Sequence, residues 1–174
     1  MKETTFWKQL KSGRFAEMVR ESSKGKTICS PVEAYNILKP LFAENDDVET
    51  VYFIFLDTKN QILAIEKMFT GTIDRANVYP REVIKRVIAL RASGALMAHN
   101  HPSGDTRPSA EDMAFTRSVI FSLTAIDVSL HDHLIIGNGY HSMSEDGWVN
   151  SFKDECRKFV SSGSLPMMTT GKAA

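Results

Sequence analysis

Apolar residues along the chain fall into short continuous runs and into longer stretches with helical spacing. Residues 51–56 are apolar at every position and rich in aromatic and β-branched side chains, which predicts a central strand buried on both faces. The polar turn at 57–60 predicts a hairpin that continues into a second strand at 61–69. Further strands are predicted at residues 95–99, 128–130, 134–136 and 140–143, with a turn at 137–139.

Helical periodicity explains most of the other segments. Helices are predicted at residues 4–20 with an interruption at Gly13, from 31 to about 41, from 80 to just before Gly94, and from 109 to about 125. The second of these starts with Ser30 as an N-cap, Pro31 at the first helical position and Glu33 as a capping-box acid. Because strands and helices interleave, we expect an α/β fold in which helices flank a mixed central sheet.

The overall composition narrows the class of protein. With 174 residues and 43% hydrophobic content, the chain is expected to form one compact domain. Its 21 basic residues balance 21 acidic residues, so no overall charge attracts nucleic acid or an anionic membrane. The two cysteines, Cys29 and Cys156, belong to no CxxC pair, which argues against a zinc ribbon or a disulfide framework. No segment has the features of a signal peptide or a membrane span, so we expect a soluble, cytoplasmic protein.

One short stretch, HNHPSGDTRPSAED at residues 99–112, combines two imidazoles, a loop rich in proline and glycine, and carboxylates directly after a predicted strand. Side chains at i and i+2 of a strand share a face, so His99 and His101 can converge on one ion while Asn100 points away. The loop lets the chain turn back, and the next helix brings Asp112 toward the same point. Two imidazoles and a carboxylate with a fourth position left open are typical of a catalytic zinc site, which activates water.

The same residues also have a structural interpretation. Ser109 and Asp112 match a variant of the capping box, with Ser109 as the N-cap and Asp112 near the positive end of the helix dipole. A His-x-His pair by itself is more often part of a surface or a turn than a metal site. The downstream Ser-x-x-Asp favours metal binding here, and the cap and the metal site are compatible with each other.

With the spacing His-x-His, seven residues, Ser, two residues and Asp, this stretch resembles the JAMM (MPN) motif at every position. More narrowly, the chain resembles the RadC-like family. The segments that extend the resemblance are IFLDTKN at 54–60, Gly71-Thr72, VYPREV at 78–83 and DHLIIG at 132–137. The resemblance predicts a domain at residues 28–150, with residues 1–27 as an N-terminal helical extension and 151–174 as a C-terminal helix and flexible tail, mobile from about residue 161.

The resemblance implies a JAMM/MPN architecture related to that of cytidine deaminases, with Zn²⁺ held by His99, His101 and Asp112. It implies that Glu49, just before the first central strand, is the general acid/base, and that Ser109 donates a hydrogen bond to the tetrahedral intermediate. The implied activity is zinc-dependent hydrolysis of an amide bond, of the peptidase or isopeptidase type. Its substrate would be a peptide or a protein.

Other functions stay open at this point. The main alternative is a non-catalytic zinc-binding module in a DNA-repair-associated assembly. The neutral chain does not support nucleic-acid binding of its own, and residues 1–27 leave no room for the helix-hairpin-helix region of larger RadC proteins. Base deamination is disfavoured, because the Pro-Cys-x-x-Cys ligands of deaminases are missing. The chain is compatible with a homodimer.

Two other polar residues compete for roles at the site. Glu66 is the rival of Glu49 for the acid/base role, because it is a charged residue among the apolar Ile62, Leu63, Ile65 and Met68 of the second predicted strand. Its alternative place is the solvent face of the hairpin. His133 belongs to a second His-x-His, which starts at His131. We interpret His133 as a structural residue or as one that orients a ligand.

Overall fold

The computed structural model describes residues 13–43, 47–71 and 79–162, and these form an α/β fold around a five-stranded mixed sheet. The helices are α1 (Arg14–Ser23), α2 (Pro31–Phe42), α3 (Pro80–Leu90), α4 (Ala110–Thr124) and α5 (Trp148–Ser162). The strands are β1 (Thr50–Leu56), β2 (Ile62–Thr70), β3 (Gly94–Asn100), β4 (Ser129–Gly137) and β5 (Gly139–Ser142). The predicted fold class and the mixed sheet are therefore confirmed.

The strands lie in the order β2-β1-β3-β4-β5. β1 runs antiparallel to both β2 and β3, β3 runs parallel to β4, and β4 pairs antiparallel with β5. Every residue of β1 and β3 is buried, as expected for interior strands covered on both faces. β3 is thus the middle strand of the sheet, and its carboxyl end carries His99.

Alternate side chains of β1 divide between two hydrophobic cores, one on each face of the sheet. Val51, Phe53 and Phe55 belong to the core that also contains residues of α3, α4 and α5. Tyr52 and Ile54 belong to the opposite core, which contains residues of α1 and α2. Because helices cover both faces, the functional residues have to lie where strands and helices end.

The fourth strand departs from the sequence prediction. β4 is one continuous strand from Ser129 to Gly137, so the two separate strands predicted at 128–130 and 134–136 were wrong. The buried carboxylate of Asp132 accepts hydrogen bonds from the Ser142 hydroxyl and from the backbone N–H of Ser144. A buried polar side chain whose hydrogen bonds are all formed can lie inside a sheet, so Asp132 in the middle of β4 does not interrupt the strand.

The ends of the chain also differ from the prediction. Gly13 has a left-handed φ of 74° and serves as the N-cap of α1, so no helix runs continuously through it; residues 4–12 of that predicted helix lie outside the described residues. At the other end α5 continues to Ser162, so Ser161 and Ser162 are helical rather than part of a tail. Residues 163–174 of the predicted tail lie outside the described residues. Among the helices described, none has both the length and the apolar content to span a bilayer.

Candidate metal centre

The three predicted ligands come together where the carboxyl end of β3 meets the amino end of α4. His99 and His101 have their Nε2 atoms 2.8 Å apart. One carboxylate oxygen of Asp112 lies 3.0 Å from His99 Nε2, and the other lies 3.3 Å from His101 Nε2. The strand end presents both imidazoles on one face, and Asp112 reaches them from the first turn of α4, as the sequence spacing predicted.

A chain of hydrogen bonds fixes which nitrogen of His99 carries the proton. Thr116 Oγ1 lies 2.6 Å from the carbonyl oxygen of Asp112, which can only accept, so the hydroxyl proton points there. His133 Nδ1 lies 2.6 Å from the same hydroxyl oxygen and therefore donates to it. His133 Nε2 is then an acceptor, and at 2.7 Å it receives the proton of His99 Nδ1. His99 Nε2 is left with a lone pair that faces Asp112 and His101.

His101 is held in the same tautomer by the loop that follows it. Its Nδ1 atom lies 2.7 Å from the backbone carbonyl of Asp105, which only accepts, so Nδ1 carries the proton. In the neutral rings, the Nε2 lone pairs of His99 and His101 therefore face each other across 2.8 Å. Two lone pairs at this distance repel unless a proton or a metal ion lies between them. The carboxylate of Asp112 beside them favours such a cation.

The spacing of the donor atoms fits a metal ion. The ligand atoms of His99, His101 and Asp112 all lie within 4.8 Å of one another. In a tetrahedral site with bonds of about 2.0–2.1 Å, ligand atoms are about 3.3 Å apart, close to the separations found here. The side chains of His99 and Asp112 are buried, whereas that of His101 is 14% exposed, so the cluster meets solvent on the His101 side. The three side chains can thus hold a metal ion that stays accessible from one direction.

Ser109 and Asp112 also form the predicted capping box. The N–H of Asp112 donates to Ser109 Oγ at 3.0 Å, and the N–H of Ser109 donates to Asp112 Oδ2 at 2.8 Å. The Ser109 hydroxyl proton goes to the same carboxylate oxygen, at 2.7 Å. Burial raises the pKa of Asp112, whereas a hydrogen bond and a positive charge from His99 in its protonated form, followed by hydrogen bonds from Ser109, lower the pKa to well below its usual range. The hydrogen bonds of the helix cap also favour the ionised carboxylate when His99 is neutral, and they direct it at the two imidazoles.

Glu49 lies directly before β1, the strand next to the ligand strand. β1 and β3 pair with Val51 opposite His99. The regular pairing ends there, and Glu49 lies two residues beyond it, at the same end of the sheet as His101. Glu49 is half-buried, and its carbonyl oxygen accepts a hydrogen bond from the N–H of Gly71 at 2.8 Å. The predicted acid/base thus lies at the end of the sheet that carries the cluster.

Glu66, the rival carboxylate, is engaged elsewhere. It pairs with Phe53 in the β1–β2 ladder, further from the ligands than Glu49. Its two carboxylate oxygens accept hydrogen bonds from Arg86 Nε and Nη2, at 2.6 and 2.5 Å. This bidentate pair joins β2 to α3, so Glu66 serves as a link between two elements.

The sequence did not single out Thr116, which completes the hydrogen-bond chain behind His99. Thr116 follows Asp112 by four residues, and this spacing on a helix, which places both on one face, is the signal that could have identified it. His133 contacts His99 in the manner expected of a residue that orients a ligand. Complete burial lowers the pKa of His133 well below its usual value. The ring is therefore neutral, as its two hydrogen bonds require.

The sequence of the chain matches a known protein family over most of its length. The profile of a family described as RadC-like JAB domain matches residues 28–148. A UPF0758 protein of Vibrio atlanticus is 39% identical over 128 residues, which cover 73% of this chain and 57% of the relative. A UPF0758 protein of Cellvibrio japonicus is 45% identical over 102 residues, which cover 58% of this chain and 46% of the relative. The chain thus spans about half the length of the curated relatives that it matches, and it belongs to the family of proteins with a RadC-like JAB domain.

Proposed function

We propose that the protein is a zinc-dependent metallohydrolase that cleaves an amide bond, of the peptidase or isopeptidase type. The observation that carries the proposal is the convergence of two imidazole lone pairs and one ionised carboxylate in a cluster that is open on the His101 side. Closed structural zinc sites use four protein ligands, whereas three ligands with an accessible position are typical of hydrolytic sites. Two nitrogen donors and one oxygen donor suit zinc better than magnesium or calcium, which prefer oxygen alone.

Zinc in such a site supplies an activated water and polarises the carbonyl of the substrate. His99, His101 and Asp112 would hold the ion, and the buried contacts behind His99 and Asp112 keep their donor atoms directed at it. Glu49 takes a proton from the attacking water and returns it to the departing amine, which cannot leave as an anion. A carboxylate at the end of the sheet that carries His101 suits both transfers.

Ser109 has a second role under this proposal, as a donor to the oxygen that becomes negative when the carbonyl is attacked. Its hydroxyl proton is directed at Asp112 Oδ2 and has to leave that acceptor before it can reach a substrate. Ser109 keeps a backbone N–H donor on Asp112 at 2.8 Å, so the carboxylate remains satisfied when the hydroxyl turns. The hydroxyl can therefore serve the helix cap in one state and the reaction in another.

The proposal is tested by hydrolysis assays on protein loaded with one zinc per chain. The substrates are a library of internally quenched peptides and a set of peptides joined through a lysine side chain. Cleavage should occur with zinc, stop on chelation and return when zinc is added back. The double variant His99→Ala/His101→Ala should be inactive, whereas His131→Ala, which removes an exposed imidazole outside the cluster, should keep its activity. If zinc-loaded protein cleaved none of these substrates, the alternative of a non-catalytic zinc-binding module would be favoured.

A further inference from the structure

The side chain of Asn100 connects the ligand strand to the segment that carries Glu49. Asn100 lies between His99 and His101 in the sequence, and its side chain turns away from the cluster, as strand alternation predicts. Its Oδ1 atom accepts a hydrogen bond from the N–H of Thr50 at 2.7 Å. Its Nδ2 atom donates to the carbonyl oxygen of Val48 at 3.1 Å. Asn100 is only 5% exposed, so these bonds are shielded from water.

The two partners of this amide are the peptide groups on either side of Glu49. The carbonyl of Val48 belongs to the peptide bond that enters Glu49, and the N–H of Thr50 belongs to the one that leaves it. One planar amide therefore holds the peptide planes on both sides of Glu49 at once. On its other side the carbonyl of Glu49 accepts from Gly71 N–H. The backbone of Glu49 is thus held from both neighbouring strands.

The place of this contact in the sheet explains why it is needed. Regular pairing between β1 and β3 ends at Val51 and His99, two residues short of Glu49. β1 itself begins at Thr50, and residues 47–49 form no strand or helix. The Asn100 side chain takes over where the backbone ladder stops. Because peptide bonds join Asn100 to His99 and His101, the same residue connects the backbone of both predicted ligands to the backbone of Glu49.

We propose that Asn100 is a positioning residue that holds Glu49 at the metal site through the peptide groups on both of its sides. The role of Glu49 as acid/base rests on the function proposed above, whereas the contact with Asn100 does not. A displacement of about 1 Å at a reacting group can cost about 10²-fold in rate. A side chain that fixes Glu49 without touching the substrate therefore affects turnover as strongly as many groups that do touch it.

The variants that test this inference are Asn100→Ala and Asn100→Asp, each alone and combined with Glu49→Gln. Alanine removes both hydrogen bonds, whereas aspartate keeps the acceptor for the N–H of Thr50 and loses the donor to the carbonyl of Val48. If the alanine variant does not fold, the aspartate variant is tested in its place. Asn150→Ala is the matched control, because it deletes an exposed amide on α5. Zinc affinity of both Asn100 variants should stay within about threefold of the wild type, since the three ligands remain.

In the turnover assay, Asn100→Ala should lower kcat by about 10²-fold and leave KM nearly unchanged, because the base is displaced while the substrate still binds. In the Glu49→Gln background, Asn100→Ala should not lower kcat further, because the base that Asn100 positions is already missing. An equal additional loss in that background would show that Asn100 acts on the ligands or on the fold, and the inference would be overturned. Unchanged kcat in Asn100→Ala would overturn it as well.

A second readout does not depend on activity. In Co²⁺-loaded protein, the visible absorption spectrum reports on the groups around the ion. Glu49→Gln should alter this spectrum, Asn100→Ala should alter it in the same way, and the double variant should match Glu49→Gln. If wild-type protein hydrolyses nothing, the proposed function fails and this spectral comparison still decides about Asn100. A spectrum insensitive to Glu49→Gln, or a further change in the double variant, would overturn the positioning role.

Discussion

His133 Nε2 lies 2.7 Å from Nδ1 of His99, on the side of the imidazole opposite the nitrogen that faces Asp112. Both rings are completely buried, so water cannot replace either partner. His133 is itself fixed by Thr116, whose hydroxyl proton points at a carbonyl of α4. The tautomer of His99, a proposed metal ligand, therefore depends on two residues outside the cluster of His99, His101 and Asp112.

Replacement of His133 by leucine should weaken zinc binding by about 10–100-fold, the usual effect of losing a partner that orients a ligand. Without an acceptor the proton on His99 Nδ1 is buried and unpaired, which is unfavourable by about 1–3 kcal/mol. The tautomer of His99 with the proton on Nε2 is then favoured. That proton faces Asp112 and prevents Nε2 from binding a metal ion. Competition with a chromophoric chelator measures the affinity. His133→Gln, whose amide oxygen can accept, should lose less; equal affinities in wild type and His133→Leu would contradict the tautomer argument.

The double variant His99→Ala/His101→Ala should bind no zinc, whereas the wild type should bind about one ion per chain. Elemental analysis of freshly purified protein measures the stoichiometry. Compared without metal, the two proteins should melt within a few degrees of each other, because neither hydrophobic core includes His99 or His101. Zinc should raise the melting temperature of the wild type alone, since an ion that binds only the folded state stabilises it. Retention of zinc by the double variant would show that other residues form the site.

The sequence predicted the parts of this site that depend on local spacing. The i, i+2 relation of His99 and His101 and the N-cap at Ser109 follow from strand and helix geometry, which each segment carries by itself. The contact between His133 and His99 depends on β3 and β4 being adjacent and in register, a fact of tertiary structure. For the same reason the sequence suggested that Asn100 points away from the ligands but not what it reaches. The continuity of β4 was missed because the partners of Asp132 come from β5 and the turn after it.

Ser109 should affect both stability and metal binding. Ser109→Ala removes an N-cap acceptor, and such changes lower the free energy of unfolding by about 0.5–2 kcal/mol. It also removes the hydroxyl donor to Asp112 Oδ2, so zinc affinity should fall in the same variant. Ser109→Thr keeps the hydroxyl and should preserve both properties. Chemical denaturation and chelator competition provide the two measurements.

Ser30→Ala is the matched control for this experiment. Ser30 caps α2 and accepts from the N–H of Glu33, but it lies outside the metal cluster. Its removal should lower the free energy of unfolding by a similar amount and leave zinc affinity unchanged. If Ser109→Ala also left zinc affinity unchanged, the hydroxyl would be a helix cap without influence on the ligand Asp112.

Glu49 and Glu66 can be compared directly, because Glu49 lies just before β1, Glu66 lies on the neighbouring β2, and their surroundings differ. Glu49→Gln keeps the size of the side chain but cannot accept a proton, so turnover should fall by about 10²–10⁴-fold while zinc content and melting temperature persist. Glu66→Gln breaks the bidentate pair with Arg86 and should lower the melting temperature without changing kcat per folded molecule. Steady-state kinetics and thermal melts on the same zinc-loaded samples separate the two effects. If Glu66→Gln abolished turnover and Glu49→Gln retained it, the assignment of the acid/base would be reversed. If neither substitution changed turnover, the proton would have to be carried by a group other than these two carboxylates.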